Sequence, residues 1–314
     1  MQVFREIQSV VVERESAVCI GNFDGLHLGH QALICELKKI AEQKNLATTL
    51  VLFEPQPLEF FAPEKAPARL LSLPEKLTVL QSLNIDTVVV LSFDAVLASM
   101  SAEVFVHDIL LKALKMKHIL VGENFRFGAK RQGDVDLLRQ MSQVSGFDVT
   151  VQKIIALGDQ RISSTEVRKA LANSDFDKAE KLLGRRYCMS GTVVQGNQMG
   201  RKLGFPTANI MPDRLHCPVS GILVTQVHGL TKMPLKGAAS LGIRPTVNGK
   251  AEVLEVYLLD FDQNIYGKEI RVEFLKKLRD EKYYETLEAL TKQIEIDVKN
   301  VKNYFERSMV TTGN

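Results

Sequence analysis

The 314-residue chain has no tryptophan, only four cysteines and no apolar run near the roughly 20 residues that a membrane span requires. Neither sign of charge dominates. Forty basic and 37 acidic side chains leave a formal net charge of +3, so bulk charge implies no polyanion-binding surface, and a nucleic-acid partner would need a local patch. Cys19, Cys35, Cys188 and Cys217 form no C-x-x-C pair. That argues against a structural zinc site and a disulfide framework, and it suits a reducing cytosol. The sequence contains no G-x-x-x-x-G-K-[ST], which excludes a P-loop kinase. It shows no repeat and no low-complexity stretch. The opening MQVFREIQSVVVERES carries charges among its apolar positions and no small-residue cleavage site, so it reads as part of a cytoplasmic protein rather than a signal peptide. What is present is an ordinary globular composition, 45% hydrophobic. That excludes disorder for the bulk of the chain, and at roughly 150 residues per domain it suggests about two domains.

The first half alternates β-branched runs with helix-like stretches. Residues 17–23, 47–53, 86–93, 118–121 and 147–155 read as strands. Residues 31–44, 74–83, 101–114 and 135–144 have helical spacing. In the first of these Leu33, Ile34, Leu37, Ile40 and Ala41 recur at i, i+1, i+4, i+7 and i+8, one face of a helix. Pro74 and Ser101 stand where helix starts belong. Such a βαβα series predicts a parallel sheet covered by helices, with its ligand site at the carboxyl ends of the strands. Residues 163–183 read as helical, interrupted at Asn173-Ser174-Asp175, and Gly184 marks a helix stop and a domain boundary. Beyond it, residues 187–195, 222–227, 235–243, 251–261 and 268–275 predict an antiparallel sheet small enough to close as a barrel. Residues 284–305 close the chain as a helix with Leu287, Leu290, Ile294, Val298 and Val301 on one face.

Two constellations carry chemistry. Gly21-Asn22-Phe23-Asp24-Gly25-Leu26-His27-Leu28-Gly29-His30 follows the first strand and opens the first helix. Free N–H groups at that helix end favour phosphate. His27 and His30, three apart, can face one side and donate to phosphate oxygens. The same residues also fit a tight β–α turn with one packed and one surface histidine. Asn124, Phe125, Arg126 and Phe127 offer apolar faces and edge hydrogen bonds for a flat heteroaromatic ring, or form a buried aromatic turn with a surface arginine. Arg161, Ser164, Thr165 and Arg168 open a helix with hydroxyls and guanidinium groups that suit a triphosphate, although such capping patterns are common.

The second constellation lies in the β half. Gly191, Gly196, Arg201 and Lys202 belong to two glycine-rich, basic runs whose backbone amides can face phosphate. Thr207 and Asn209 place two neutral oxygen ligands on one side of an extended segment, a donor set suited to Mg²⁺. Glu255 alternates with Tyr257 on one strand face. There it can take a proton from an attacking hydroxyl if it points into a cleft, or it is a solvent-facing glutamate.

Together, G-N-F-D-G-x-H-x-G-H at 21–30, the 121–128 and 161–168 segments, and G-R-K-L-G-F-P-T-A-N at 200–209 resemble the bacterial bifunctional riboflavin kinase/FMN adenylyltransferase family. The resemblance implies an α/β fold, with an N-terminal parallel-sheet, Rossmann-like nucleotidylyltransferase domain at 1–184. A C-terminal antiparallel β-barrel kinase domain with a terminal helix would follow at 185–314. It implies that Gly21, Asn22, Phe23, Asp24 and Gly29 bind nucleotide beside His27 and His30. Ser164, Thr165 and Arg168 would hold the phosphates that leave as pyrophosphate. Residues 124–127 would lie in a flavin pocket, Glu255 would be the kinase base, and Arg279 would sit in a mobile loop near nucleotide and flavin. It also implies ATP, riboflavin, FMN and FAD as substrates and products and Mg²⁺ as cofactor. Neither a nucleic acid nor a membrane is an expected partner, and a monomer and a weak homo-oligomer both fit. Gln56, Leu223 and Ser240 depart from the family pattern. Three other functions stay open: a transferase for another phosphorylated metabolite with the β half as a regulator, a non-catalytic flavin binder, and an RNA-binding protein.

Overall fold

In the computed structural model, residues 1–7, 10, 12–153, 156–157, 160–196, 198–246 and 249–311 are described. Their contacts resolve into two units, 1–67 with 73–164, and 68–72 with 165–314.

The first unit is a six-stranded sheet, all of it parallel, in the order β1-β4-β3-β2-β5-β6. Its strands are β1 (Gln2–Phe4), β2 (Ser16–Ile20), β3 (Ala47–Glu54), β4 (Thr87–Ser92), β5 (Met116–Gly122) and β6 (Asp148–Gln152). β2 and most of β3–β5 are buried, as the continuous apolar runs of a sheet covered on both faces require. Helices α1 (Leu28–Lys44), α2 (Pro57–Phe61), α3 (Leu73–Ser82), α4 (Ala95–Ser99) and α5 (Ala102–Val104) connect the strands. After α5 the chain continues as a π-helix over Phe105–Ala113, where the periodicity predicted one helix over 101–114. α6 (Val135–Ser145) precedes β6, and a small hairpin of β7 (Ala156–Leu157) and β8 (Gln160–Arg161) ends the unit. The end of the strand expected over 147–155 lies partly outside the described residues.

The strand order reverses between β2 and β5. β2 is followed in sequence by β3 and then β4 on one side, whereas β5 and β6 lie on the other. Ligands of open α/β sheets bind at such a switch point, outside the carboxyl ends of the strands. The Gly21–His30 turn leaves β2 there, and the 123–128 segment leaves β5 there.

The second unit begins on α7 (Ser164–Ala172) and includes α8 (Phe176–Leu183), which Gly184 ends in a left-handed conformation. A closed antiparallel barrel follows in the order β10-β13-β12-β11-β14-β9. Its strands are β9 (Cys188–Val194), β10 (Thr207–Ile210), β11 (Gly221–His228), β12 (Leu235–Thr246), β13 (Gly249–Leu258) and β14 (Glu269–Arg279). The short helix α9 (Met199–Lys202) sits between β9 and β10. Closure leaves no exposed sheet edge.

α10 (Leu287–Thr311) packs Val301 and Phe305 into a cluster with Val224 and Leu259. Leu287, expected on that buried face, is 56% exposed at the first residue of the helix, whereas Leu290 one turn on lines the barrel cavity. The strand expected over 17–23 stops at Ile20. Phe23 then turns left-handed, with φ of 45°, to begin the turn into α1.

Candidate functional sites

In the first unit, β2 delivers the chain into a turn with two non-glycine residues, Phe23 and Leu26, in the left-handed region at φ of 45° and 43°. Both are buried, at 1% and 0% exposure, so their side chains hold the turn from below. His27 is the N-cap of α1. Its Nδ1 accepts the His30 backbone N–H at 3.2 Å. The two imidazoles stack, with centroids 3.7 Å apart and planes 16° from parallel.

An accepting Nδ1 places the proton of neutral His27 on Nε2, where it can be donated to a ligand. Gly29 makes room for the stack, since a Cβ there would come within 3.1 Å of the His27 ring. His30 is half-buried, but its Nδ1 is sealed and has no hydrogen-bond partner among the described residues. Burial, and then the fields of His27 and Lys76, hold the His30 pKa well below the ordinary imidazole value. His30 therefore acts as a neutral hydrogen-bonding group near pH 7.

Within the first unit, Ser164 Oγ donates to the Asp24 carbonyl at 2.8 Å. Asp24 is buried and Asn22 exposed. Arg161 is exposed at the end of β8. Thr165 and Arg168 lie on α7 and group with the second unit, where Arg168 Nε donates to the Ala68 carbonyl at 2.6 Å. Gln56 is buried as the N-cap of α2, with the Glu59 carboxylate accepting its backbone N–H at 2.9 Å.

The segment after β5 lines a cavity of about 490 Å³ with Asn124, Phe125, Arg126, Arg131 and Asp134. Phe125 stacks on Phe127 at 5.3 Å. Phe127 itself is only 8% exposed, packs against Phe105 in the core and does not line the cavity. One ring is thus presented and the other supports it from behind. Arg126 pairs with Asp134 at 2.6 Å. The Leu137 amide, with Arg126 adding to it, holds the Asp134 carboxyl below the usual carboxylate range.

The barrel holds a larger cavity, of about 690 Å³. Strand register builds its wall. β13 pairs with β10 on one side and β12 on the other, setting Asn209, Glu255 and Ser240 in one cross-strand row and Thr207, Tyr257 and Ala238 in the next. All six line the cavity, as directly opposed residues on one face must. Asn209 Nδ2 donates to the Thr207 carbonyl at 3.3 Å, which leaves Oδ1 as the amide's acceptor. Gly196 closes over it, since a Cβ there would lie 2.6 Å from the Asn209 amide. The neutral oxygens of Thr207 and Asn209 fit a hard divalent cation that takes its remaining ligands from water and phosphate. Among the described residues no group of three His, Cys, Asp or Glu side chains could hold a metal by itself.

Gly200 also lines the cavity. Arg201 and Lys202 are exposed on α9 and do not line it, and Gly191 lies in β9 against Ile210. Arg279 lines it while bound to Asp297 through Nε and Nη2, at 2.6–3.1 Å, and over the Tyr284 ring at 5.9 Å. The Asp297 pairing raises the Arg279 pKa.

Sequence reasoning did not single out Lys76, Glu281 or Asp297. Ser240 Oγ donates to Glu281 Oε1 at 2.9 Å, and Glu281, Lys282 and Tyr283 line the cavity from the loop before α10. Asp297 lies three residues after Ile294, so helical spacing alone could have placed it on the inward face.

Residues 10–166 match the FAD synthetase family, and residues 183–305 match the riboflavin kinase family. The chain is 45% identical over 286 residues, 91% of each chain, to the bifunctional riboflavin kinase/FMN adenylyltransferase of Escherichia coli K12. It is 42% identical over 306 residues to the Haemophilus influenzae protein of the same name, covering 97% of this chain and 99% of the other. A crystal structure described as a macrolide-efflux protein from Streptococcus pneumoniae superposes with a TM-score of 0.78 at 28% identity, covering 96% and 98% of the two chains. Among the described residues no helix is long and apolar enough to cross a membrane.

Proposed function

Because the chain belongs to the bifunctional riboflavin kinase/FMN adenylyltransferase family, we propose that it makes both flavin cofactors: riboflavin + ATP gives FMN + ADP, and FMN + ATP gives FAD + pyrophosphate. The observation that carries this reading is that each unit has a site of its own. The stacked His27–His30 pair stands at the switch point of the sheet, and the Asn209–Glu255 row stands in the barrel cavity. We assign residues 1–184 to adenylyl transfer and 185–314 to the kinase.

In the barrel, Glu255 takes the proton from the terminal ribityl hydroxyl as that oxygen attacks the γ-phosphorus of ATP. Thr207 and Asn209 would hold Mg²⁺, which when bound would offset the phosphate charge. Arg279, held by Asp297, faces the flavin side of the cavity. Gly196 seats the Asn209 amide and Gly191 packs on Ile210, so neither leaves space for phosphate, and Arg201 and Lys202 add positive charge from outside the wall.

In the sheet unit the FMN phosphate is already an anion at neutral pH, so no strong base is needed. Its oxygen attacks the α-phosphorus of ATP in line, and pyrophosphate leaves. His27 and His30 donate to the phosphates as charge builds, beside the backbone of Gly21, Asn22, Phe23, Asp24 and Gly29. Arg161 and Ser164 receive the departing pyrophosphate. Asn124, Phe125 and Arg126 hold the flavin ring, with Phe127 backing Phe125. We place the activity in the cytoplasm, with small molecules as its partners.

The test is to incubate the purified chain with riboflavin, ATP and Mg²⁺ and to follow FMN, FAD and pyrophosphate by chromatography. FMN should appear first, then FAD and pyrophosphate in equal amounts. A chain that binds riboflavin but forms neither product would overturn the reading.

A further inference from the structure

Lys76 is the largest charged side chain sealed inside the first unit, at 1% exposure. Lysine is almost never fully buried unless it is paired, because an ammonium taken out of water must recover its solvation from protein oxygens. On α3, Lys76 and Leu80 lie one helical turn apart, and both face inward. The lysine Nζ donates to the Asn22 carbonyl at 2.6 Å. Asn22 sits between the end of β2 and the left-handed Phe23, in the turn that delivers His27 and His30.

We infer that Lys76 is a positioning residue of the adenylyl-transfer site: its buried ammonium clamps the Gly21–Leu26 turn through the Asn22 carbonyl and supplies a fixed positive charge beneath the nucleotide phosphates. The inference rests on the proposed reading of this turn as the phosphate site.

Two observations support it. First, the turn holds Phe23 and Leu26 in a conformation that L-residues adopt only under constraint, and such strain persists where the surroundings over-determine it. Second, the charge of Lys76 reaches His30. The groups acting on that ring are His27 from the same turn and Lys76 from α3, and both oppose its protonation, as burial does. The buried carboxylates of the same two elements are Asp24 and Glu75. A lysine held at the turn thus lets the neighbouring imidazole stay neutral, with a proton to donate. A neutral imidazole alone would lack the charge, and a charged imidazole would lose it as the pH rises.

The experiment compares the full-length protein with Lys76→Met, which keeps the aliphatic stem, and Lys76→Arg, which keeps the charge. Three readouts are taken: FMN formation from riboflavin, FAD formation from supplied FMN, and the titration of the His30 ring by NMR. In Lys76→Met, FAD formation should fall about 10²-fold, the usual scale for a misplaced catalytic group. FMN formation should be unchanged, and the His30 midpoint should move up. Lys76→Arg should keep the His30 midpoint at the wild-type position. Lysine has no such role if Lys76→Met leaves both FAD formation and the His30 midpoint untouched. The same conclusion follows if FMN and FAD formation fall together with an unmoved His30 midpoint, since that marks general damage to the fold. If the wild-type protein makes no FAD at all, the transferase reading fails, and the His30 titration still decides whether Lys76 governs that ring.

Discussion

Asn209 of β10 and Glu255 of β13 are directly opposed partners across one antiparallel pair, on the face that lines the barrel cavity. A neutral oxygen donor and a carboxylate are thereby fixed one strand spacing apart by backbone register, not by a flexible loop. Register in a closed barrel cannot slip without turning every side chain to the other face. Gly196 bounds this arrangement, because the Asn209 amide occupies the space that a Cβ there would take. Gly196→Ala should therefore push the amide out of place and lower FMN formation about 10²-fold, with FAD formation from supplied FMN unaltered. Steady-state assays of the two half-reactions on the same preparation check this, and equal loss of both would contradict it.

The two sites should also fail separately when their chemical groups are removed. Glu255→Gln takes away the proton acceptor of the kinase and should cost that reaction about 10²–10⁴-fold, while FMN is still converted to FAD. His30→Ala removes a preorganised donor and should cost adenylyl transfer about 10²–10³-fold, so FMN accumulates from riboflavin. Chromatography of the products distinguishes these outcomes. A folded variant that stopped both reactions equally would refute independent sites.

Much of this design is legible in the sequence, for reasons that differ between the two halves. Buried parallel strands are near-continuous apolar runs, so β2 to β5 stand out with boundaries close to those observed. Turns with glycine, histidine and asparagine at fixed offsets mark where the strands end. β1 was not legible, because three residues on an edge strand carry no periodicity. The π-helix after α5 was not legible either, since its residues look like any amphipathic helix.

Within the sites, motif spacing singled out His27, His30 and Asn209 as candidates, and the family resemblance singled out Glu255. It did not find Lys76, whose lysine on a short helix resembles a solvated one until tertiary packing seals it. Nor did it separate Phe125, which faces a cavity, from Phe127, which faces the core. Alternation in a loop does not say which ring the tertiary structure keeps. The Ser240 departure acquires a meaning only through pairing, which puts it beside Glu255 and in hydrogen-bond contact with Glu281.

Arg279 and Asp297 form a bidentate ion pair in the barrel cavity, with side chains 24% and 7% exposed and two guanidinium nitrogens on one carboxylate. Gln293 Nε2 donates to the same carboxylate at 3.0 Å. The pair ties the end of β14 to α10. Replacing Asp297 by Asn keeps the shape but removes the charge, leaving Arg279 with weaker, neutral partners. The expected cost is about 1–3 kcal/mol, the range for losing a charge-assisted hydrogen bond in a partly buried setting. Urea denaturation of the full chain measures it. The same substitution should raise the Kd for riboflavin, because Arg279 loses its fixed orientation toward the cavity. Unchanged stability and unchanged riboflavin affinity together would show that the pair orders nothing.

Acid should weaken the sheet unit before it reaches any carboxylate. His30 and His118 are both held below the ordinary imidazole pKa, chiefly by burial. His118 is 4% exposed, with Nε2 2.8 Å from Thr150 Oγ1. Asp148 opposes the effect of burial there, and Lys44 adds to it. A depressed folded-state pKa means that, as the pH falls through about 6.5, the unfolded chain binds protons that the folded chain refuses. Stability is therefore fully present above about pH 6.5. Below it, stability drops by at most about 1.4 kcal/mol per pH unit for each such histidine until the folded-state pKa is reached. Melting temperatures measured from pH 8 to pH 5 should be flat at first and then decline. His118→Gln should flatten the decline by removing one proton-linked group. A wild-type melting temperature that rises on acidification through this window would show that these rings are charged in the folded protein, contrary to the burial seen here.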